Sequence, residues 1–149
     1  MPRPRIQVLS KDRFFLAAVA AGPIIWFLVY ATSLLPITGR DFSASQLLLL
    51  VLIYPVLEEL AFRGLIQGYL SGVKGMSIRR VKLTGANWVT SLLFTAAHII
   101  YTPILLASLV FVPSLIFGEL RDRYHSTIPS MILHCYYNLG FFMMLIHKA

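Results

Sequence analysis

The chain has 149 residues, of which 58% are hydrophobic and only 13% charged, with a mean hydropathy of +0.76. Soluble domains run at roughly 45–50% apolar and 25% charged, so a soluble globular protein is excluded as the starting assumption. The formal net charge of +7 would suggest nucleic acid in a soluble chain, but the basic residues sit between apolar blocks, and no nucleic-acid partner is expected.

Five apolar segments follow in chain order: Phe14 to Leu35, Leu47 to Leu70, Leu83 to Ile100, Ile104 to Leu120 and Ile128 to Ile146. Each is near the roughly 17–25 residues that cross a bilayer as a helix. Backbone polar groups in lipid must pair internally, so the expected fold is all-α, a polytopic membrane bundle of about five transmembrane helices. The first segment reads as an uncleaved membrane helix rather than a signal peptide, because its apolar run continues through Trp26, Phe27 and Leu34. Breaks fall at Pro36 to Ser45, at Ser71 to Lys82, at Tyr101-Thr102-Pro103 and at Arg121 to Thr127. The third is short enough to imply a tight helical hairpin.

Arg3, Arg5, Lys11 and Arg13 precede the first segment; Lys74, Arg79, Arg80 and Lys82 follow the second; Arg121 and Arg123 follow the fourth. If five helices alternate, all of these share one face, and only Arg40 and Lys148 lie on the other. The positive-inside bias then puts the N-terminus in the cytoplasm and the C-terminus outside. Met76 to Leu83 mixes Ile78, Val81 and Leu83 with Arg79, Arg80 and Lys82, which fits an amphipathic stretch on the cytoplasmic interface or a basic loop. No repeat or low-complexity segment divides the chain, so residues 1–149 are expected to form one integral-membrane domain.

Within the second segment stands Glu58-Glu59-Leu60-Ala61-Phe62-Arg63. A charged side chain at the centre of a membrane helix costs about 2.5–3.5 kcal/mol on insertion scales, which asks for a function or a partner. Arg63 is one turn beyond Glu59, so the two suit an ion pair; no basic residue stands three or four positions from Glu58. Interhelical hydrogen bonding is the plain alternative for both glutamates. The third segment adds Phe94 and His98, and the fifth adds His134 and Asn138, four apart on one helix face. Two histidines, an amide and a glutamate on separate helices are groups that move protons or polarise carbonyls.

These residues form three patterns in order: Glu58-Glu59 with Arg63 (E-E-x-x-x-R), Phe94 with His98 (F-x-x-x-H) and His134 with Asn138 (H-x-x-x-N). The chain thereby resembles the CPBP (or ABI) group of intramembrane proteases, which includes the type II CAAX prenyl endopeptidases and bacterial proteins associated with bacteriocin self-immunity. Gly118 and the Ser126-Thr127-Ile128 step also fit, and the resemblance covers about Gln46 to Asn138. It implies a glutamate-dependent peptidase, placed in a bacterial inner membrane, that cuts a membrane protein or lipid-modified peptide near its C-terminus. Under it Glu58 is the general base, His98 orients the water, His134 and Asn138 donate to the oxyanion, and Glu59 with Arg63 fix Glu58. A unit this small leaves homodimerisation as one way to enclose its site.

No cofactor is expected. Glu58, His98 and His134 as ligands of a catalytic zinc form the second choice, since two histidines and a glutamate are a known open zinc set, but the chain lacks H-E-x-x-H. Cys135 points about 100° from His134 on a helix and reads as a small buried residue that allows no intrachain disulfide. Ser91, Thr95 and Ser130 lie in no G-x-S-x-G elbow. At a rise of roughly 1.5 Å per residue, Glu58, His98 and His134 fall at different depths, so they meet only if the third helix starts near Trp88 or the helices tilt or stagger. A non-enzymatic scaffold or immunity factor and a proton-coupled carrier are the competing classes; the carrier is disfavoured by the lack of inverted repeats.

Overall fold

A computed structural model describes residues 9–32 and 41–147. Arg3, Arg5, Arg40 and Lys148, together with the stretch from Ser33 to the first part of the Pro36 break, lie outside the described residues. The described chain is nearly all helical. Its helices are α1 (Arg13–Thr32), α2 (residues 44–71), α3 (Gly85–Ile99), α4 (Ile104–Tyr124, with Ile104–Leu109 and Phe111–Tyr124 meeting at Val110) and α5 (Ile128–His147). α1, α4 and α5 are long and apolar enough to cross a membrane.

The helix ends are close to those the apolar runs predict, with two corrections. α4 runs on to Tyr124, so Arg121 and Arg123 lie in its last turn rather than in a loop, where they complement the negative end of the helix dipole. Met76 to Leu83, read as an amphipathic stretch or a basic loop, carries regular structure: strands β1 (Arg79–Arg80) and β2 (Leu83–Thr84) pair antiparallel as a tight hairpin. Its turn residues Val81 and Lys82 both have positive φ, 52° and 71°, the mirror-image turn that matches strand twist but disfavours side chains. Arg79 holds it closed, donating from Nη1 to the Lys82 carbonyl at 2.6 Å and to Glu119 at 3.1 Å.

α2 begins with a capping box: the Gln46 amide donates to Ser43 Oγ at 3.3 Å and the Ser43 amide to Gln46 Oε1 at 2.9 Å. Two π-helical stretches, Leu49–Ile53 and Leu60–Ile66, flank the α-helical Tyr54–Glu59 that carries both glutamates. The first has a covalent cause. The Tyr54 amide donates five residues back, to the Leu49 carbonyl, and the next residue is Pro55, which has no N–H for the Leu50 carbonyl.

The chain gathers into two compact units, one of Met1–Leu57 with Ile132–Ala149, the other of Glu58–Met131. In the first, α1 packs on α5. Gly22 and Gly140 leave room for the Trp26 indole, which lies on the Gly140 backbone and 5.1 Å from the Tyr136 ring, and the Tyr137 hydroxyl donates to the Ala18 carbonyl at 2.7 Å.

The second unit is held by buried polar groups at one-turn intervals. Glu59, Arg63 and Gln67 on α2 are all fully buried, and Ser114, Gly118 and Asp122 face them from α4. Gln67 Nε2 donates to the Gly118 carbonyl at 2.9 Å and to Asp122 at 2.8 Å. Thr84 accepts from the Asn87 amide, capping α3, while its hydroxyl donates to Asp122 at 2.7 Å. Asn87 donates to the Leu115 carbonyl at 3.0 Å and accepts from Ser91 at 3.0 Å. Its side chain lies against the bare backbone of Gly118, where any Cβ would strike it. With little hydrophobic force between helices in lipid, such small residues and hydrogen bonds carry the packing.

Candidate functional site

The second unit brings the first two motifs together. Glu59 and Arg63 pair with Oε2 to Nε at 3.6 Å, both side chains out of contact with solvent. Arg63 does more than neutralise Glu59: its Nη2 donates to the Ser114 hydroxyl at 2.8 Å and to the Ser114 carbonyl at 3.1 Å. Its guanidinium also lies 5.0 Å from the centre of the Phe94 ring, a cation–π contact strengthened by the lack of water. Arg63 is thus fixed by charge, hydrogen bonds and stacking at once, as a buried cation must be.

Phe94 passes this order on to His98. Its ring is 4.5 Å from the imidazole and 5.0 Å from Phe62, edge to face with the latter. His98 Nδ1 is 2.9 Å from the Phe94 carbonyl. A carbonyl only accepts, so Nδ1 carries the hydrogen and, in the neutral ring, Nε2 presents its lone pair. That tautomer accepts a hydrogen bond from water. α3 starts at Gly85 rather than at Trp88, yet Phe94 still reaches Arg63, so the second motif stands beside the first. Glu58 is half-buried on the same turn as Glu59.

The third motif lies in the first unit. His134 is buried, and Asn138, one turn on, donates from Nδ2 to the Leu50 carbonyl at 2.9 Å, the group that Pro55 left without a helical donor. A neighbouring side chain that recaptures a freed carbonyl is how a membrane helix tolerates proline.

Of the hydroxyls weighed from the sequence, Ser130 donates to the Thr127 carbonyl at 2.9 Å and Ser91 to Asn87 Oδ1 at 3.0 Å; the Thr95 hydroxyl is buried. Among the described residues no three His, Cys, Asp or Glu side chains gather as a metal site. Sequence reasoning missed Gln67, Asn87, Ser114, Asp122 and Pro55. Spacing was the available signal: Gln67 continues the stripe of Glu59 and Arg63, and Ser114, Gly118 and Asp122 repeat every four residues. Pro55 is a proline inside an apolar run.

A mostly helical chain with segments long and apolar enough to cross a membrane, carrying three polar motifs on its helices, is an integral membrane protein. The model of the type II CAAX prenyl endopeptidase Rce1-like family matches residues 40–140, a span that holds all three motifs, and the chain belongs to that family. It is a CAAX-type intramembrane protease, a hydrolase whose substrate is a membrane-associated protein. No curated protein and no solved structure matches the chain.

Proposed function

We propose that the enzyme cuts its substrate near the C-terminus with a water activated by Glu58 and His98, and that His134 and Asn138 hold the oxyanion. The observation that carries this reading is the packed series Glu59, Arg63, Phe94 and His98, which joins the helix of Glu58 to a histidine whose Nε2 lone pair is available to water. The water oxygen bonds to the scissile carbonyl carbon as one of its protons passes to Glu58. The carbon–nitrogen bond then breaks, and the departing nitrogen takes that proton, leaving one carboxyl and one amine end. Donors from His134 and Asn138 stabilise the tetrahedral intermediate, where one such donor is typically worth about 10²–10³ in rate. Glu59 and Arg63 keep the α2 turn that carries Glu58 in place.

The protein belongs in a bacterial inner membrane with its N-terminus in the cytoplasm. The three basic groups support this, among them Lys11 and Arg13 at the start of α1, Arg79 to Lys82 in the hairpin, and Arg121 and Arg123 at the end of α4.

The test is a cleavage assay in detergent or liposomes against a panel of peptides with C-terminal membrane anchors, prenylated and unprenylated. Glu58→Gln is expected to lower cleavage at least 10²-fold, the usual scale for a general base, while leaving expression intact and cleavage by the wild type resistant to a strong chelator. Retained activity in Glu58→Gln would overturn the mechanism, and loss on chelation would replace it with zinc.

A further inference from the structure

The side chain of Asn138, the proposed oxyanion donor, takes its orientation from a feature elsewhere in the chain. Among the described residues its Nδ2 donates to the Leu50 carbonyl at 2.9 Å. That carbonyl is available because two helical donors are withheld from it. The Tyr54 amide, its partner in an α-helix, is on Leu49 instead. Residue 55, its partner in the π-helical register of Leu49–Ile53, is Pro55, fully buried and without an N–H. Pro55 therefore works by what it lacks.

We propose that Pro55 is a positioning residue for the reaction: by denying Leu50 a helical hydrogen bond it reserves that carbonyl to hold the Asn138 amide. An asparagine side chain has two N–H groups. Leu50 takes one, which locks the amide plane and leaves the second in a fixed direction to meet developing negative charge. Without the carbonyl the amide would rotate freely about its last torsion, and a donor that has to be oriented during the reaction stabilises less than one already in place. The inference rests on the reading of Asn138 as an oxyanion donor.

The prediction turns on one hydrogen atom. Pro55→Ala supplies an N–H, and the Leu50 carbonyl then receives a helical donor in either register, from residue 54 if the helix relaxes to α and from residue 55 if it stays π. Asn138 is displaced in both cases. Placing lactic acid at position 55 by suppression of a nonsense codon gives the same methyl side chain through an ester, with no N–H and no proline ring.

The enzyme in detergent is assayed with whichever anchored peptide the wild type cleaves fastest, and kcat and KM are measured separately. Pro55→Ala is expected to lower kcat tenfold or more with KM within about twofold, and the ester at 55 is expected to restore kcat to within threefold of wild type. Pro55→Ala with Asn138→Ala should be no slower than Asn138→Ala alone. Equal rates for the alanine and ester forms would overturn the proposal, because shape rather than the missing N–H would then set the rate. If Pro55→Ala does not accumulate, the ester form is compared with wild type directly, and a tenfold loss of kcat there overturns the proposal equally. Full activity in Asn138→Ala would instead remove the oxyanion reading on which it rests, and the two failures are thereby told apart.

Discussion

Replacing Gly118 by alanine tests how α3 is held. The new Cβ would meet the Asn87 amide directly, and with Asn87 fully buried the side chain has to swing away. It then gives up its bond to the Leu115 carbonyl and the one it accepts from Ser91, each 3.0 Å long. A hydrogen bond is worth about 1 kcal/mol net, and a buried donor left without a partner costs about 1–3 kcal/mol. Interhelical bonds in membranes average about 0.6 kcal/mol, which puts the expected loss near the low end of that sum, at about 2 kcal/mol. Unfolding of the purified protein by SDS titration, followed through Trp26 and Trp88, measures it. Asn87→Ala should cost about 1 kcal/mol, and adding Gly118→Ala to it should cost almost nothing more, since the alanine leaves the space the new Cβ needs. Gly118→Ala within about 0.5 kcal/mol of wild type, or additive losses in the double variant, would refute the reasoning.

Arg63→Lys keeps the charge but loses the planar group that bonds Ser114 and stacks on Phe94 at once. It should accumulate in the membrane yet cleave at least tenfold more slowly, and wild-type turnover in the peptide assay would show that charge alone suffices. Gly140→Ala drives a Cβ into the Trp26 indole and forces it off Tyr136. A loss of about 1–3 kcal/mol, the cost of overpacking, and a shift in tryptophan emission are expected; unchanged emission would count against the packing described.

The helices were legible because apolar runs and their interruptions fix where a chain can cross lipid, and α5 begins at Ile128 as its run does. The Glu59–Arg63 pair followed from spacing alone, and the three motifs carried the family. What the sequence hid was of two kinds. Gln67, Asn87 and Ser114 are uncharged, so each looks tolerable in lipid by itself, and only the packing of α2, α3 and α4 shows that they bond to one another. The hairpin was hidden because Val81-Lys82 is a poor turn sequence: both residues pay for positive φ, and the contacts of Arg79 with Lys82 and Glu119 make the conformation hold. The second π-helical stretch, Leu60–Ile66, was invisible for a related reason, since nothing in apolar composition distinguishes a donor four residues on from one five residues on.

The bond from Arg63 to Ser114 also bears on how the protein is made. The two residues are 51 apart in sequence, so at a synthesis rate of about 5–20 residues per second Arg63 leaves the ribosome about 3–10 s before its partner. During that interval α2 carries a cation that has Glu59 beside it but not yet its hydroxyl and carbonyl acceptors, and a charged side chain at the centre of a membrane helix costs about 2.5–3.5 kcal/mol on insertion scales. α2 is therefore best retained beside the insertion machinery until α4 arrives, so that α2, α3 and α4 enter the bilayer together. Biogenesis of this enzyme then depends on the delay between two helices as much as on the hydropathy of either.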